Sequence, residues 1–374
     1  MPMTLEILLI IVAFFASAGC GFLLIPQILD FCKRKGLYDI PNARKLHKNA
    51  IPRLGGICFV PSMLTAFFVV MMLFERFSND QHIIISTWSL AFLISLALIY
   101  AVGVVDDLIG LSAMVKFPVQ IAAATLLPLS GLYINNFYGL FGIHEIPFII
   151  SILITIFAVV YITNAINLID GIDGLCSGLS FLALGGFLFC FTNEKVYVYS
   201  ILIAGLMGVL LAFFYFNYFG STEKNRKIFM GDSGSLSLGF ILAFLSVKFA
   251  MNNPHVMPFR IDALFLPLTL LIIPVFDVTR MILVRMKHHK PIFVADKNHI
   301  HHKLIRAGMS QHQALWTIIL SALCYFVVNY TLLLFVNITT ILAIDIILYI
   351  AFHIVVNKYL RKQGRPVFAE NTPQ

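Results

Sequence analysis

Apolar residues in this 374-residue chain come in runs long enough to cross a bilayer, divided by short polar gaps, and few sequence features restrict folding as severely. Hydrocarbon offers no partner to a backbone N–H or C=O, so such runs fold as helices. A spanning helix takes about 20 residues. Eleven stretches qualify: Leu5 to Pro26, Leu54 to Leu73, Ile83 to Val105, Val115 to Tyr133, Ile146 to Ile162, Leu175 to Phe191, Val196 to Phe216, Ser235 to Met251, Ala263 to Val284, Ala314 to Phe335 and Ile338 to Val356. With 60% hydrophobic and only 12% charged residues, a soluble globule is excluded. The expectation is an all-α integral membrane protein, a polytopic bundle of about eleven transmembrane helices forming one membrane domain over 1–374, with a long loop over 285–313. The first segment reads as retained, because it starts beside Glu6 rather than a basic flank and shows no small-residue cleavage site.

Charge then orients the bundle. Of 26 Lys and Arg residues, 22 fall in alternate gaps: seven from Lys33 to Arg53, Lys116 alone, three from Lys224 to Lys227, seven from Arg280 to Arg306 and four from Lys358 onward. Basic residues near helix ends stay cytoplasmic, which puts the amino terminus outside, the carboxyl terminus inside and the 285–313 loop in the cytoplasm. The net charge of +8 belongs mostly to that face and suits membrane lipid headgroups or a phosphorylated substrate. Nucleic acid is not expected as a partner, since the basic residues are not interleaved with exposed aromatics. The six cysteines are scattered, with no pair at metal or redox spacing, and read as small core residues.

The same inner gaps hold the chemistry. Asp106 and Asp107 end the third stretch, where charge is costly at roughly 2.5 to 3.5 kcal/mol, and carboxylates are disfavoured beside the negative end of a helix dipole. Asn164 to Gly174 supplies two amides and two carboxylates, Asn164, Asn167, Asp170 and Asp173, between glycines. Oxygen ligands of this kind suit Mg²⁺, and an Asp-rich turn capping the next helix is the plainer alternative. Phe229 to Ser235 places Gly231, Asp232 and Gly234 before another apolar run, either a phosphate-binding turn or a simple N-cap. His299, His301 and His302 sit among Lys297, Lys303 and Arg306, near Asp296, a setting that favours an anion over a transition metal. The first inner gap carries Arg44, Lys45, His47 and Arg53, then Gly55 and Gly56, which suit close helix packing.

Taken in order, PNxRKxH with IPRxGG, VDDL followed by LSxxxK ending at Lys116, NAINLIDGIDGL, Phe216-Asn217, FMGDSGSL and HIHH resemble the polyprenyl-phosphate N-acetylhexosamine-1-phosphate transferases over Arg44 to His302. The likeness is to the bacterial enzymes that start O-antigen, enterobacterial common antigen or teichoic acid synthesis. It implies ten or eleven helices around a cytoplasmic active-site cleft in the bacterial inner membrane, and transfer of a sugar 1-phosphate, GlcNAc-1-phosphate foremost, from a UDP-N-acetylhexosamine to undecaprenyl phosphate with release of UMP. It implies roles too: Asp106 and Asp107, with Lys116, as the catalytic group at the lipid phosphate; Asn167 and Asp232 as Mg²⁺ ligands, with Mn²⁺ as a substitute; Asp173 at the nucleotide base; His299, His301 and His302 at the diphosphate, with Asp170 and Asn217 in the nucleotide-sugar site; and Arg44, Lys45 and Arg53 at the lipid phosphate or a lipid headgroup. A homodimer is left open.

IPRLGG and HIHH resemble the N-acetylhexosamine branch rather than the muramoyl-pentapeptide branch, which tends to TPTMGG and HHHF. Ser221 to Ile228 is longer than the family pattern and leaves the choice of sugar open. Two rivals from other classes are an ion-coupled secondary transporter, which would set polar groups at the midplane of repeated halves, and a histidine metalloenzyme.

Overall fold

The computed structural model describes residues 3–39, 50–77, 86–223, 225–289, 291 and 297–369. Thirteen helices make up nearly all of it: α1 (Met3–Lys35), α2 (Phe59–Phe77), α3 (Thr87–Ile109), α4 (Ala113–Leu129), α5 (Phe148–Ile169), α6 (Leu175–Asn193), α7 (Tyr197–Tyr218), α8 (Gly231–Ala250), α9 (Phe265–Leu270), α10 (Ile272–Lys287), α11 (Ile300–Arg306), α12 (Gln311–Leu332) and α13 (Ile338–Lys362). A 3₁₀ turn at Gly55–Cys58 leads into α2. Two short antiparallel pairs complete the description, β1 (Tyr38–Asp39) with β2 (Ile51–Pro52) and β3 (Asn136–Leu140) with β4 (Ile143–Glu145). This is an all-α polytopic membrane protein.

Among the described residues, each of the eleven predicted stretches coincides with a helix or, for the ninth, a pair of helices. Nine helices among the described residues are long and apolar enough to cross a membrane. The fourth stretch is the 17-residue α4, at the short end of what spans. The ninth is interrupted at Leu271, whose φ of −109° and ψ of 14° separate α9 from α10.

Local chemistry fixes several helix starts. Ser86 caps α3 by accepting from the Ser89 N–H, Asn337 caps α13 through Thr340, and Ser310 and Gln313 form a reciprocal capping box on α12. At the centre stands α8, its membrane window wholly buried, packed by α3, α5, α6, α9 and α2. Lipid tails are as apolar as the helices, so close contact rather than the hydrophobic effect drives this packing. The Phe244 ring lies 4.2 Å from Phe92, and a Cβ on Gly239 would fall 2.7 Å from the Thr163 carbonyl oxygen.

Up-and-down passage brings the carboxyl ends of α3, α5, α7, α10 and α13 and the amino ends of α4, α6, α8 and α12 to one face. The opposite face is closed by the β3–β4 hairpin: Asn135 exchanges bonds of 2.9 and 2.8 Å with Asn252, and Tyr138 donates to Ala250 at 2.9 Å.

Candidate active site

The turn that enters α8 organises the site. Gly231 has φ +76°, and a Cβ there would lie 2.3 Å from the Arg53 carbonyl oxygen and 2.6 Å from Asp107 Oδ2, so only glycine fits. Gly55 and Gly56 donate to the Phe229 and Met230 carbonyls at 2.8 and 2.7 Å, and Phe229 donates to Pro52 at 2.8 Å. The close approach expected of the first glycine pair is realised against Gly234, 2.1 Å from a Cβ built on Gly56. Gly103 of α3 meets Ser233 in the same manner.

The adjacent acids of α3 point to different partners. Asp107 is 3% exposed and accepts from the backbone N–H groups of Asp232 and Ser233 at 2.8 and 2.9 Å. It caps α8 from a neighbouring helix. Asp106 accepts from Leu111 N at 2.6 Å and from Lys116 Nζ at 3.3 Å. Lys116 also lies 2.5 Å from Asp232 Oδ2, so one ammonium joins α3, α4 and α8. Asn167, at the end of α5, donates to Asp232 Oδ1 at 3.2 Å and to Ser235 Oγ at 2.8 Å. Ligand atoms of Asp106, Asp107 and Asp232 lie within 4.8 Å of one another, the one such group of metal-capable side chains among the described residues. Its donors are all oxygen, which suits a hard cation such as Mg²⁺ or Mn²⁺ and not a histidine-loving metal.

The loop between α5 and α6 links acids to histidines. Asp170 is exposed where α5 ends. Desolvation by the protein around it, and then the charges of Asp232, Asp173 and Asp107, push its carboxyl up to about 7. Asp173 instead pairs with Lys227 at 2.6 Å. Asn217 accepts from Gly174 N at 2.6 Å and donates to Ile228 at 2.8 Å, so this 5%-exposed amide ties the loop to the segment before α8 and spends both ends on backbone. A Cβ on Gly171 would fall 2.0 Å from His301 Nε2, placing the histidine ring directly against this loop.

The three histidines differ sharply. His299 Nδ1 donates to Asp277 Oδ2 at 2.8 Å, leaving Nε2 as its free ring nitrogen. His301 is 1% exposed with no hydrogen-bond partner for either nitrogen, and its ring centroid lies 4.1 Å from that of His302. Burial, then the neighbouring His302 and His299, hold His301 well below the usual imidazole range. Burial, then His299 and Lys297, lower His302 to about 4. Both rings are therefore neutral at neutral pH, each able to donate one N–H and accept at the other nitrogen. Lys303 donates to His353 Nδ1 at 3.0 Å, and burial followed by Arg280 and Arg306 lowers its ammonium to about 8.

Arg44, Lys45 and Asp296 lie outside the described residues. Arg53 sits beside the α8 turn with its Nε buried and unpartnered. Sequence reasoning missed Asp277, Arg280 and Lys227. Asp277 is an acid inside an apolar stretch, three residues before an arginine, and that intramembrane cost is a signal. Lys227 carries none, because its pairing with Asp173 exists only once two loops meet.

The sequence profile of glycosyl transferase family 4 matches residues 89–250. A Bacillus subtilis (strain 168) protein described as a probable undecaprenyl-phosphate N-acetylglucosaminyl 1-phosphate transferase is 30% identical over 320 residues, covering 83% of this chain and 81% of the relative. This chain belongs to that transferase family. Within it, similar relatives include the undecaprenyl-phosphate alpha-N-acetylglucosaminyl 1-phosphate transferase of Escherichia coli (strain K12), 30% identical over 299 residues, 78% of this chain and 75% of the relative. The decaprenyl-phosphate N-acetylglucosaminephosphotransferase of Mycobacterium tuberculosis (strain CDC 1551 / Oshkosh) is 31% identical over 304 residues, 77% and 73% of the two chains. The matched family 4 region holds Asp106, Asp107, Asp170, Asp173 and Asp232, whereas Asp277, the histidines and Arg53 lie beyond it.

Proposed function

We propose that this protein transfers N-acetylglucosamine 1-phosphate from UDP-GlcNAc to undecaprenyl phosphate, releasing UMP, in the bacterial inner membrane. The observation that carries the reading is the convergence at one membrane face of Asp106, Asp232, Lys116 and Asn167 with a histidine cluster one loop away. Polar groups gathered at helix ends fit a reaction at the lipid headgroup level and speak against a transporter, whose ion sites lie near the midplane. The 22 basic residues of the alternate gaps favour a cytoplasmic site, with the amino terminus outside and the carboxyl terminus inside. The names of the relatives favour GlcNAc over muramoyl-pentapeptide.

Two polyanions must meet, so positioning and charge neutralisation carry the catalysis. A lipid phosphate oxygen attacks the sugar-bearing phosphorus, forming one O–P bond while the bond to the UMP oxygen breaks. UMP departs with that electron pair. At neutral pH a phosphate monoester is largely dianionic, its second pKa being near 6, so the nucleophile needs little base help. Asp106 orients it, and Lys116, between Asp106 and Asp232, draws its ammonium toward phosphate oxygens. Asp107 acts at one remove by fixing the backbone that carries Asp232. The histidines donate to the diphosphate, and Asp173 faces the base. Asn167 and Asp232, beside Asp106, would hold Mg²⁺, which when bound supplies charge neutralisation at the diphosphate. The test is purified protein with undecaprenyl phosphate and a panel of UDP-sugars: UMP release and lipid product with UDP-GlcNAc are expected, and turnover only with another UDP-sugar, or none after metal replenishment, would reject the assignment.

A further inference from the structure

The histidine helix α11 is gripped from a side that the reaction does not explain. Past α13 the chain turns back over the site face. Arg365 donates to the Arg306 carbonyl at 2.6 Å, and Arg306 donates to the Val367 carbonyl at 3.1 Å. The Phe368 ring stacks on His288 at 5.1 Å and 26°. Ala369 and the Asn298 side chain exchange two bonds, N–H to Oδ1 at 2.8 Å and Nδ2 to the carbonyl at 3.1 Å.

These anchors are not scattered. His288 follows the last residue of α10, Asn298 immediately precedes His299, and Arg306 is the last residue of α11. Consecutive tail residues therefore hold both ends of the segment joining α10 to α11, while two more hold the far end of the helix. From the inner side, Arg280 donates to the Asn298 carbonyl at 2.6 Å and to Asp277 at 2.8 Å, and Asp277 receives His299 and the Ile300 N–H at 2.8 and 3.0 Å. The main chain leading into His301 and His302 is bonded on two sides, by α10 within and by the tail without.

A seven-residue helix has too few internal bonds to hold its own direction. His301 has no hydrogen bond that would orient its ring. Where these rings point is decided by whatever fixes the ends of α11. A displacement of about 1 Å at a positioning element costs up to roughly a hundredfold.

We propose that residues 365–369 form a positioning strap, with Asn298 and Arg306 as its receivers, that sets the affinity for the nucleotide sugar by fixing the histidine helix. This rests on the reading that the histidines receive the diphosphate. The strap touches no reacting atom; it acts through α11.

The test compares the full chain with one ending at Gly364, both in nanodiscs, by calorimetric titration of UDP-GlcNAc, amide hydrogen exchange and steady-state kinetics, with His302→Ala alongside. The expected result is a roughly tenfold weaker affinity, faster exchange over 297–307 but not over 229–236, and a larger change in KM than in kcat. A chain ending at Gly364 that binds UDP-GlcNAc as tightly as the full chain overturns the strap when His302→Ala does weaken binding. If His302→Ala also binds normally, the histidine assignment falls and the strap falls with it. Should the shortened chain fail to fold, Asn298→Ala and Ala369→Pro, which removes the N–H given to Asn298, are read by the same measurements with the same outcomes.

Discussion

Asp107 gives both carboxylate oxygens to backbone N–H groups of another transmembrane helix, whereas His301, buried still more deeply, has no hydrogen-bond partner for either ring nitrogen. The acid corner is assembled from the ends of long helices, joined where glycines let backbones touch and pinned by bonds between side chain and main chain. The histidine corner hangs on a seven-residue helix tied down by neighbours distant in sequence. Rigid scaffolding at one corner and borrowed scaffolding at the other suggest different tasks. A metal and a transferring phosphoryl group demand fixed charge, and a soluble diphosphate must enter and leave.

The largest effect should come from the acid corner. Asp232→Ala is expected to cost on the order of a thousandfold in kcat, and EDTA-treated enzyme should be inactive until Mg²⁺ or Mn²⁺ is restored; full turnover in EDTA would remove the metal from the mechanism. Gly231→Ala should come next. The left-handed backbone alone costs roughly 1–2 kcal/mol, and the new Cβ must displace Asp107 or the Arg53 carbonyl. Activity should fall more than melting temperature, and a fully active variant would show that the turn is not under this constraint.

His302→Ala should weaken UDP-GlcNAc binding roughly ten- to a hundredfold, the range for hydrogen bonds to charged groups. Asp106→Asn should depress kcat with that binding nearly intact. Titration calorimetry on the two variants separates the corners, and the reverse pattern would exchange their roles.

The smallest effect is in pH. The ordinary imidazole value is about 6.5, and His302 lies near 4 in the folded protein. Its neutral form is favoured by folding, so the contribution to stability is full above about 6.5 and is lost as pH falls toward 4. Melting curves from pH 7.5 to 4.5 should show a shallower acid-side loss for His302→Gln than for the parent. Parallel curves would contradict the burial described for this ring.

Hydropathy found each of the nine membrane-length helices among the described residues because apolar length is local information. It did not find the interruption at Leu271, because the run is apolar throughout; the local signal was Pro274, which has no N–H to give the Leu270 carbonyl four residues back. Asp106, Asp170, Asp232 and Asn167 were legible as an oxygen-rich set at inner helix ends. The division of labour between Asp106 and Asp107 was not, since adjacent residues on a helix face about 100° apart and only the position of α8 decides which meets a backbone. Asn217 entered the nucleotide-sugar site only through the family resemblance; its buried bonds to Gly174 and Ile228 depend on two loops converging and were not legible. The roles of Asn298 and Ala369 depend on a contact across 71 residues.

Because the membrane window of α8 is wholly enclosed, none of its side chains there meets an acyl chain. A change in bilayer thickness, or transfer from membrane to detergent, therefore loads the outer helices, and α1, α12 and α13 have windows only 28%, 22% and 28% buried. The carboxylate at the head of α8, itself partly exposed, is carried on a helix that a full layer of protein insulates from that load. An enzyme whose acceptor is itself a lipid thus keeps its central acid in a frame that the surrounding lipid does not deform.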